Sequence, residues 1–247
     1  MLAHRGGRGP WRENTIEAFR GALATGADGI ELDVRRAADG TLAVHHDAVI
    51  EGLGPVHELD RSLLPSWVPT LSEALAACAG SLVNVEIKNS PMDEGYDPRE
   101  HVSQEVARML VLAGVGGPAE VPGSVARTDV TPATVVVSSF SPGSLAAVKQ
   151  AAARAGDPLP LGLLVHPAFD PRDALDVAKD LGCESLHPFH SQVTEELVRS
   201  AHDNGMAVIT WTVNSAAELQ AVRAAGVDGV ISDDVTGALR SLGTTPS

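Results

Sequence analysis

The feature that most constrains this chain is an alternation. Short runs rich in β-branched residues give way to Ala- and Leu-rich stretches with helical spacing, then a glycine, then another run. The last half shows it best. "PLGLLV" (160–165) precedes "PRDALDVAKDLG", "SLHPFH" (185–190) precedes "TEELVRSAHDNG", "AVITWTV" (207–213) precedes "SAAELQAVRAAG", and "GVISD" (229–233) precedes "DVTGALRSL". Each of these helical stretches opens on Pro, Ser, Thr or Asp, and three stop at Gly182, Gly205 or Gly226, as capped helices do.

The front half keeps the rhythm. "MLAH" leads to "NTIEAFRGALATG". "GIELDV" and "TLAVHHD" form a strand region before "TLSEALAACAG". "LVNVEIK" (82–88) precedes a helix near 100–113, and "TVVVSSF" (134–140) precedes "PGSLAAVKQAAARAG". About eight such units in 247 residues predict an α/β chain folded as one (β/α)8 TIM barrel over residues 1–247. A doubly wound open sheet is the rival architecture, but no strand leads into a GxGxxG turn. Segments 48–69, 89–99 and 114–133 lack either period and are expected as loops.

Composition narrows the partners. A net charge of −14 argues against nucleic acid and anionic membrane surfaces. It leaves room for a small anionic substrate met by a local cluster of positive charge. No apolar run approaches the ~20 residues of a membrane span, and no basic start leads into an apolar stretch. No stable membrane anchor and no signal peptide are therefore expected, and the expected location is cytoplasmic. Cys78 and Cys183 read as small buried hydrophobes rather than a disulfide. The oligomeric state is left open.

Polar residues interrupt the strands where a barrel carries its chemistry, at the C-terminal strand ends. In "GIELDVR", Glu31 and Asp33 are two apart and share a face of one strand. Glu86 and Lys88 repeat the spacing on the next, "LVNVEIKN". Three carboxylates in a barrel mouth are costly unless neutralised, and they suit a hard divalent ion, Mg2+ or Ca2+; pairing with Arg or Lys is the alternative. His4 ends "MLAH" and His46 ends "TLAVHHD", so the two imidazoles are a candidate general acid and base. His45 should face away from His46. His187 and His190 are minor candidates for substrate contact. Arg5 and Lys88 add fixed positive charge, and Arg5 can grip a phosphate with paired hydrogen bonds. The assembly suits phosphoester cleavage. Gly6 and Gly7 are expected to let the backbone turn where a side chain would crowd a phosphate. Asn14 or Thr15 is expected to cap the following helix.

The residues also resemble a known family. "HRG" (4–6), "ENTIEAF" (13–19), "ELDVRRAADGTLAVHHD" (31–47), "VPTLSEAL" (68–75), "VEIK" (85–88), "AVITWTVN" (207–214) and "GVDGVISD" (226–233) look like the glycerophosphodiester phosphodiesterases, in order along nearly the whole chain. The resemblance implies a (β/α)8 barrel, one divalent metal ion, and hydrolysis of glycerophosphodiesters to glycerol 3-phosphate and an alcohol. It implies His4 and His46 as the catalytic pair, Glu31, Asp33 and Glu86 as metal ligands, and Arg5 and Lys88 as phosphate holders. Glu13 and Asn14 match supporting positions, and Trp211 and Phe140 match an aromatic wall beside the substrate. After "HD" the family often carries an Arg-Thr-Thr stretch, whereas this chain has "AVIEGLGPVHELD". The 48–69 loop is short where many members carry an inserted cap subdomain. Both departures bear on substrate choice, and the open mouth implies that the leaving alcohol is read weakly.

Three readings compete. A lysophospholipase D-like phosphodiesterase would share the paired histidines and the acidic trio. A catalytically inactive phosphate-binding barrel would have no need of all five. An amidohydrolase would want two histidines in an HxH pair on its first strand, and "AHRG" offers one.

Overall fold

The computed structural model describes residues 1–114 and 133–243. The chain enters through β1 (Leu2–His4) and forms α1 (Ile16–Thr25). β2 (Gly29–Arg36) follows and folds back as antiparallel β3 (Leu42–Val44). A hairpin of β4 (Val49–Ile50) and β5 (Gly54–Pro55), then two 3-10 turns, Val56–Glu58 and Arg61–Leu63, lead to α2 (Leu71–Ala77). From there strand and helix alternate: β6 (Leu82–Ile87), α3 (His101–Leu112), β7 (Thr134–Ser139), α4 (Pro142–Ala155), β8 (Leu161–Val165), α5 (Pro171–Leu181), β9 (Ser185–Pro188), α6 (Glu195–Asp203), β10 (Ala207–Thr210), α7 (Ala216–Ala224), β11 (Gly229–Ser232) and α8 (Val235–Leu242). Strands β1, β2 and β6 to β11 are parallel, and β1 closes the ring by pairing with both β11 and β2. This is the predicted (β/α)8 barrel.

Strand parity separates the core from the site. On β2, Ile30, Leu32 and Val34 point outward and join Phe19, Leu71 and Leu110 from the surrounding helices in the main core. The alternate residues Glu31, Asp33 and Arg35 point into the barrel. Helix signals act as the sequence predicts. Thr15 caps α1 by accepting from Ala18 N, Thr70 and Glu73 form a capping box on α2, and Gly182 closes α5 in the left-handed conformation. Cys78 and Cys183 are both free and buried. Among the described residues, no helix is long and apolar enough to cross a membrane.

Several expectations change. Segment 48–69 is not irregular. It is an ordered excursion whose Ile50, Val56, Leu64 and Val68 bury against Ala37 and Ala43 as a second small core. At about 1.5–3 kcal/mol per buried aliphatic side chain, that core holds the excursion folded, and the irregular spacing of its apolar residues hid it from periodicity. Segment 89–99 is held as a turn by Asn89, whose amide donates to Asp97 O and whose Oδ1 accepts from Asp97 N. Segment 114–133, apart from its end residues, lies outside the described residues. Gly6 and Gly7 have φ of +88° and +76°, but a Cβ would strike Ala18 of α1 and Val235 of α8. Packing of the first turn on two helices, rather than room for a phosphate, requires them. Asn14 is not the cap of α1; its side chain turns into the barrel mouth.

Candidate active site

The barrel mouth is built from strand ends and the turns that follow them. A cleft of about 110 Å3 is lined by His4, Arg5, Glu31, His46, Asn84, Glu86, Lys88, Phe140, Leu164, Trp211 and Ile231. Parity on β2 and β6 carries Glu31, Asp33 and Glu86 to one place. One oxygen from each lies within 4.8 Å of the others, and all three residues are buried.

The charges balance only in part. Lys88 Nζ contacts Glu86 Oε1 and lies 3.0 Å from Asp33 Oδ1. Arg5 Nε lies 3.2 Å from Asp33 Oδ2, and its NH1 is 3.1 Å from Glu13 Oε1. Neither contact to Asp33 has hydrogen-bond geometry, since Arg5 Nε and Asp33 Oδ1 remain without a hydrogen-bond partner. Asn14, with φ of +56°, donates from its amide to Asp33 Oδ2 at 2.8 Å. Burial favours the neutral acid at Asp33, but the charges of Lys88 and Arg5 outweigh it and hold Asp33 well below the usual carboxylate range. Glu31 lacks such relief. Burial, then the charge of Asp33, push it up to about 8. Burial also raises Glu86, against the pull of Lys88. The alternative of simple pairing with Lys and Arg therefore accounts for Asp33 and leaves Glu31 short of positive charge.

That deficit tests the divalent ion. Glu31 Oε1 and Asp33 Oδ1 are buried without hydrogen bonds, each an omission worth about 1–3 kcal/mol. The donors are all oxygens, the set that suits Mg2+ or Ca2+. The residues fit such an ion.

The two imidazoles are each anchored at Nδ1. His4 Nδ1 is 2.6 Å from Asp233 Oδ1, and its Nε2 is 3.8 Å from Glu31 Oε2. Asn214 donates to Asp233 Oδ2 and accepts from Asp233 N, and Arg8 reaches Asp233 Oδ2 at 3.1 Å. Burial opposes a charge on His4, but Asp233 and Glu31 overcome it and raise its pKa. His46 Nδ1 is 2.7 Å from Asp47 Oδ1. It does not end a strand: β3 stops at Val44, and His46 sits in the turn that follows. Its carbonyl accepts the Nε–H of Arg35 at 2.8 Å. Burial, with Lys88 and Arg5 nearby, lowers its pKa. His45 packs its ring 5.8 Å from that of Trp67. Phe140 and Trp211 meet edge to face at 5.4 Å, and Trp211 Nε1 donates to His187 O. His187 is wholly buried, bonded to Ser185 Oγ, and pushed down to about 4 by burial. His190 packs on Phe189. Neither lines the cleft.

The sequence reading overlooked Asp233 and Arg35. Asp233 stood inside a quoted motif without a role. The barrel's closure was the available signal, because the last strand must adjoin the first. Arg35 continues the inward parity of Glu31 and Asp33, and that spacing could have marked it.

A closed barrel with acids, imidazoles and cationic side chains at one mouth defines a barrel hydrolase of phosphoric esters. Comparison with known proteins agrees. Residues 4–236 match the model of the glycerophosphoryl diester phosphodiesterase family. The chain is 31% identical to a glycerophosphodiester phosphodiesterase of Caldanaerobacter subterraneus, over 95% of this chain and 93% of that one. Its fold matches solved structures of a putative glycerophosphoryl diester phosphodiesterase from Silicibacter pomeroyi (TM-score 0.79, 24% identity, 100% and 94% of the two chains) and of an Oleispira antarctica phosphodiesterase in complex with the product sn-glycerol-3-phosphate (TM-score 0.77, 21% identity, 98% and 96%). The chain belongs to the glycerophosphoryl diester phosphodiesterase family.

Proposed function

We propose that this chain hydrolyses glycerophosphodiesters to glycerol 3-phosphate and an alcohol, with a divalent cation held by Glu31, Asp33 and Glu86. The observation that carries the reading is the meeting of that trio with His4, His46, Arg5 and Lys88 on one small cleft. Neighbouring carboxylates keep Arg5 and Lys88 charged despite burial, so both are available to hold the phosphate oxygens. A bound cation would add charge stabilisation on those oxygens as the ester bond breaks. His4 and His46, tied at Nδ1, keep Nε2 for proton transfer. One takes the proton of the attacking oxygen, and the other donates a proton to the ester oxygen that leaves phosphorus as the alcohol. Asn14 holds Asp33, Glu13 holds Arg5, and Trp211 with Phe140 covers the glycerol carbons.

The test is release of glycerol 3-phosphate from glycerophosphocholine. EDTA should abolish it and Mg2+ or Ca2+ restore it. Glu31→Gln should stay folded but bind the ion more weakly by calorimetry. Unchanged ion binding in that variant would remove the trio from the reading.

A lysophospholipase D-like activity has one observation of its own. Trp11, Leu53, Leu63, Met92 and Phe169 are exposed apolar side chains, all on segments that leave the C-terminal strand ends, where an acyl chain would lie. Lysophosphatidylcholine offered beside glycerophosphocholine separates the two readings.

A further inference from the structure

The interior beside the carboxylates holds more polar atoms than its own hydrogen bonds satisfy. Asn84 is 1% exposed, yet neither its Nδ2 nor its Oδ1 has a hydrogen-bond partner. Ser138 Oγ, also buried, has none. Strand register gathers these atoms with the acids. Asn84 on β6 stands beside Glu31 on β2, and Ser138 on β7 stands beside Glu86 on β6. Asn84 and Glu86 share one face of β6, and both line the cleft with Glu31.

Buried amides left wholly unpaired are rare, because each forfeits its bonds to water and gains nothing. Packing alone does not call for an amide in this layer, since the register neighbour of Asn84 on β7 is Val136. Unpaired oxygens of Asn84 and Glu31, register neighbours on adjoining strands, extend the oxygen donor set of the acidic trio. Hard divalent ions accept amide oxygens alongside carboxylates and complete their shells with six or more oxygens, beyond what three side chains supply singly.

We infer that Asn84 is a further residue of the cation site, its amide oxygen completing the ion's oxygen shell from the barrel interior, directly or through one held water. This rests on the reading that Glu31, Asp33 and Glu86 bind a divalent ion.

The test is calorimetric titration of Mg2+ and of Ca2+ into the metal-free full chain, with thermal melts of each protein with and without ion. Asn84→Leu matches the side chain in size and removes both unpaired atoms. Its affinity for the ion should fall by roughly 10- to 100-fold, the usual cost of losing an outer partner, while its metal-free melting temperature should not fall. Asn84→Asp keeps an oxygen, so it should bind at least as tightly as the unaltered chain and gain more in melting temperature on adding ion. If Asn84→Leu binds within about threefold of the unaltered chain, or Asn84→Asp gains no more in melting temperature on adding ion than the unaltered chain does, Asn84 is outside the site. Should Asn84→Leu fail to fold, the Asp variant decides. Glu31→Gln separates the failures. Weaker binding there with unchanged binding in Asn84→Leu overturns this inference alone, whereas no binding of either ion by the folded unaltered chain overturns it together with the cation reading.

Discussion

The two imidazoles of the mouth are held by unlike regions. His4 ends a strand of the closed ring, and its partner Asp233, 18% exposed, follows the neighbouring strand and is itself held by Asn214 and Arg8. His46 lies beyond β3, outside the ring, and its partner Asp47 is 74% exposed. What steadies His46 is the bond from buried Arg35 to its carbonyl and the excursion that packs beside it around its own small core. The ring ties His4 to the stability of the whole barrel. The excursion ties His46 to a smaller unit with a core of its own. The proton balance differs in the same sense: a fixed acid raises His4, while burial beside Lys88 and Arg5 lowers His46.

The largest expected effect tests whether both rings serve the reaction. His4→Ala and His46→Ala should each lower kcat by at least ~100-fold, the cost of a lost acid or base. Near-normal turnover in either, measured on glycerophosphocholine, would leave one region without a chemical role. Next comes the support of His4. Asp233→Asn should lower kcat by roughly 10- to 100-fold, as loss of a ring's orienting partner does. Removing an acid that raises His4 should also move the His4 limb of the pH profile to lower pH. An unchanged profile would break the contrast.

A third imidazole outside both regions supplies the control. Burial lowers His187 from its usual 6.5 to about 4, so the unfolded chain takes up a proton before the folded one does. The favourable contribution is complete above about pH 6.5 and is lost as pH falls towards about 4. Between about pH 7 and about pH 5 it amounts to about 2 kcal/mol of stability. Denaturant melts should show that loss, and His187→Gln should flatten it. The smallest effect concerns the excursion. Arg35→Met removes a charge-assisted bond of ~1.5 kcal/mol, so kcat should fall by roughly tenfold. Proteolytic nicking within residues 48–69 should quicken, with the barrel otherwise intact. Equal protection in both proteins would show that Arg35 does not steady His46.

Much of the site was legible because it is written in short periods. Glu31 with Asp33 and Glu86 with Lys88 each show the two-residue repeat that puts side chains on one face of a strand. Neighbouring strands then bring the pairs together. The eight parallel strands were legible for a similar reason, since each unit is a local pattern closed by its own cap. The excursion was not, because Ile50, Val56, Leu64 and Val68 follow no period and gain meaning only as they bury one another.

The sequence by itself determined the barrel, its eight strands, and the acids that share a strand face, since those follow from local spacing; the strand end expected at His46 is instead a turn beyond β3. The tertiary structure alone decided how the site is supported. His4 and Asp233 are 229 residues apart and meet only when β1 pairs with β11 to close the ring. Arg35 finds the carbonyl of His46 only when β3 folds back on β2. Asn84 is left unpaired beside Glu31 only once β2 and β6 lie in register. Spacing along a strand says which way a side chain faces. What it faces depends on contacts that exist only after the distant parts of the chain have been brought together.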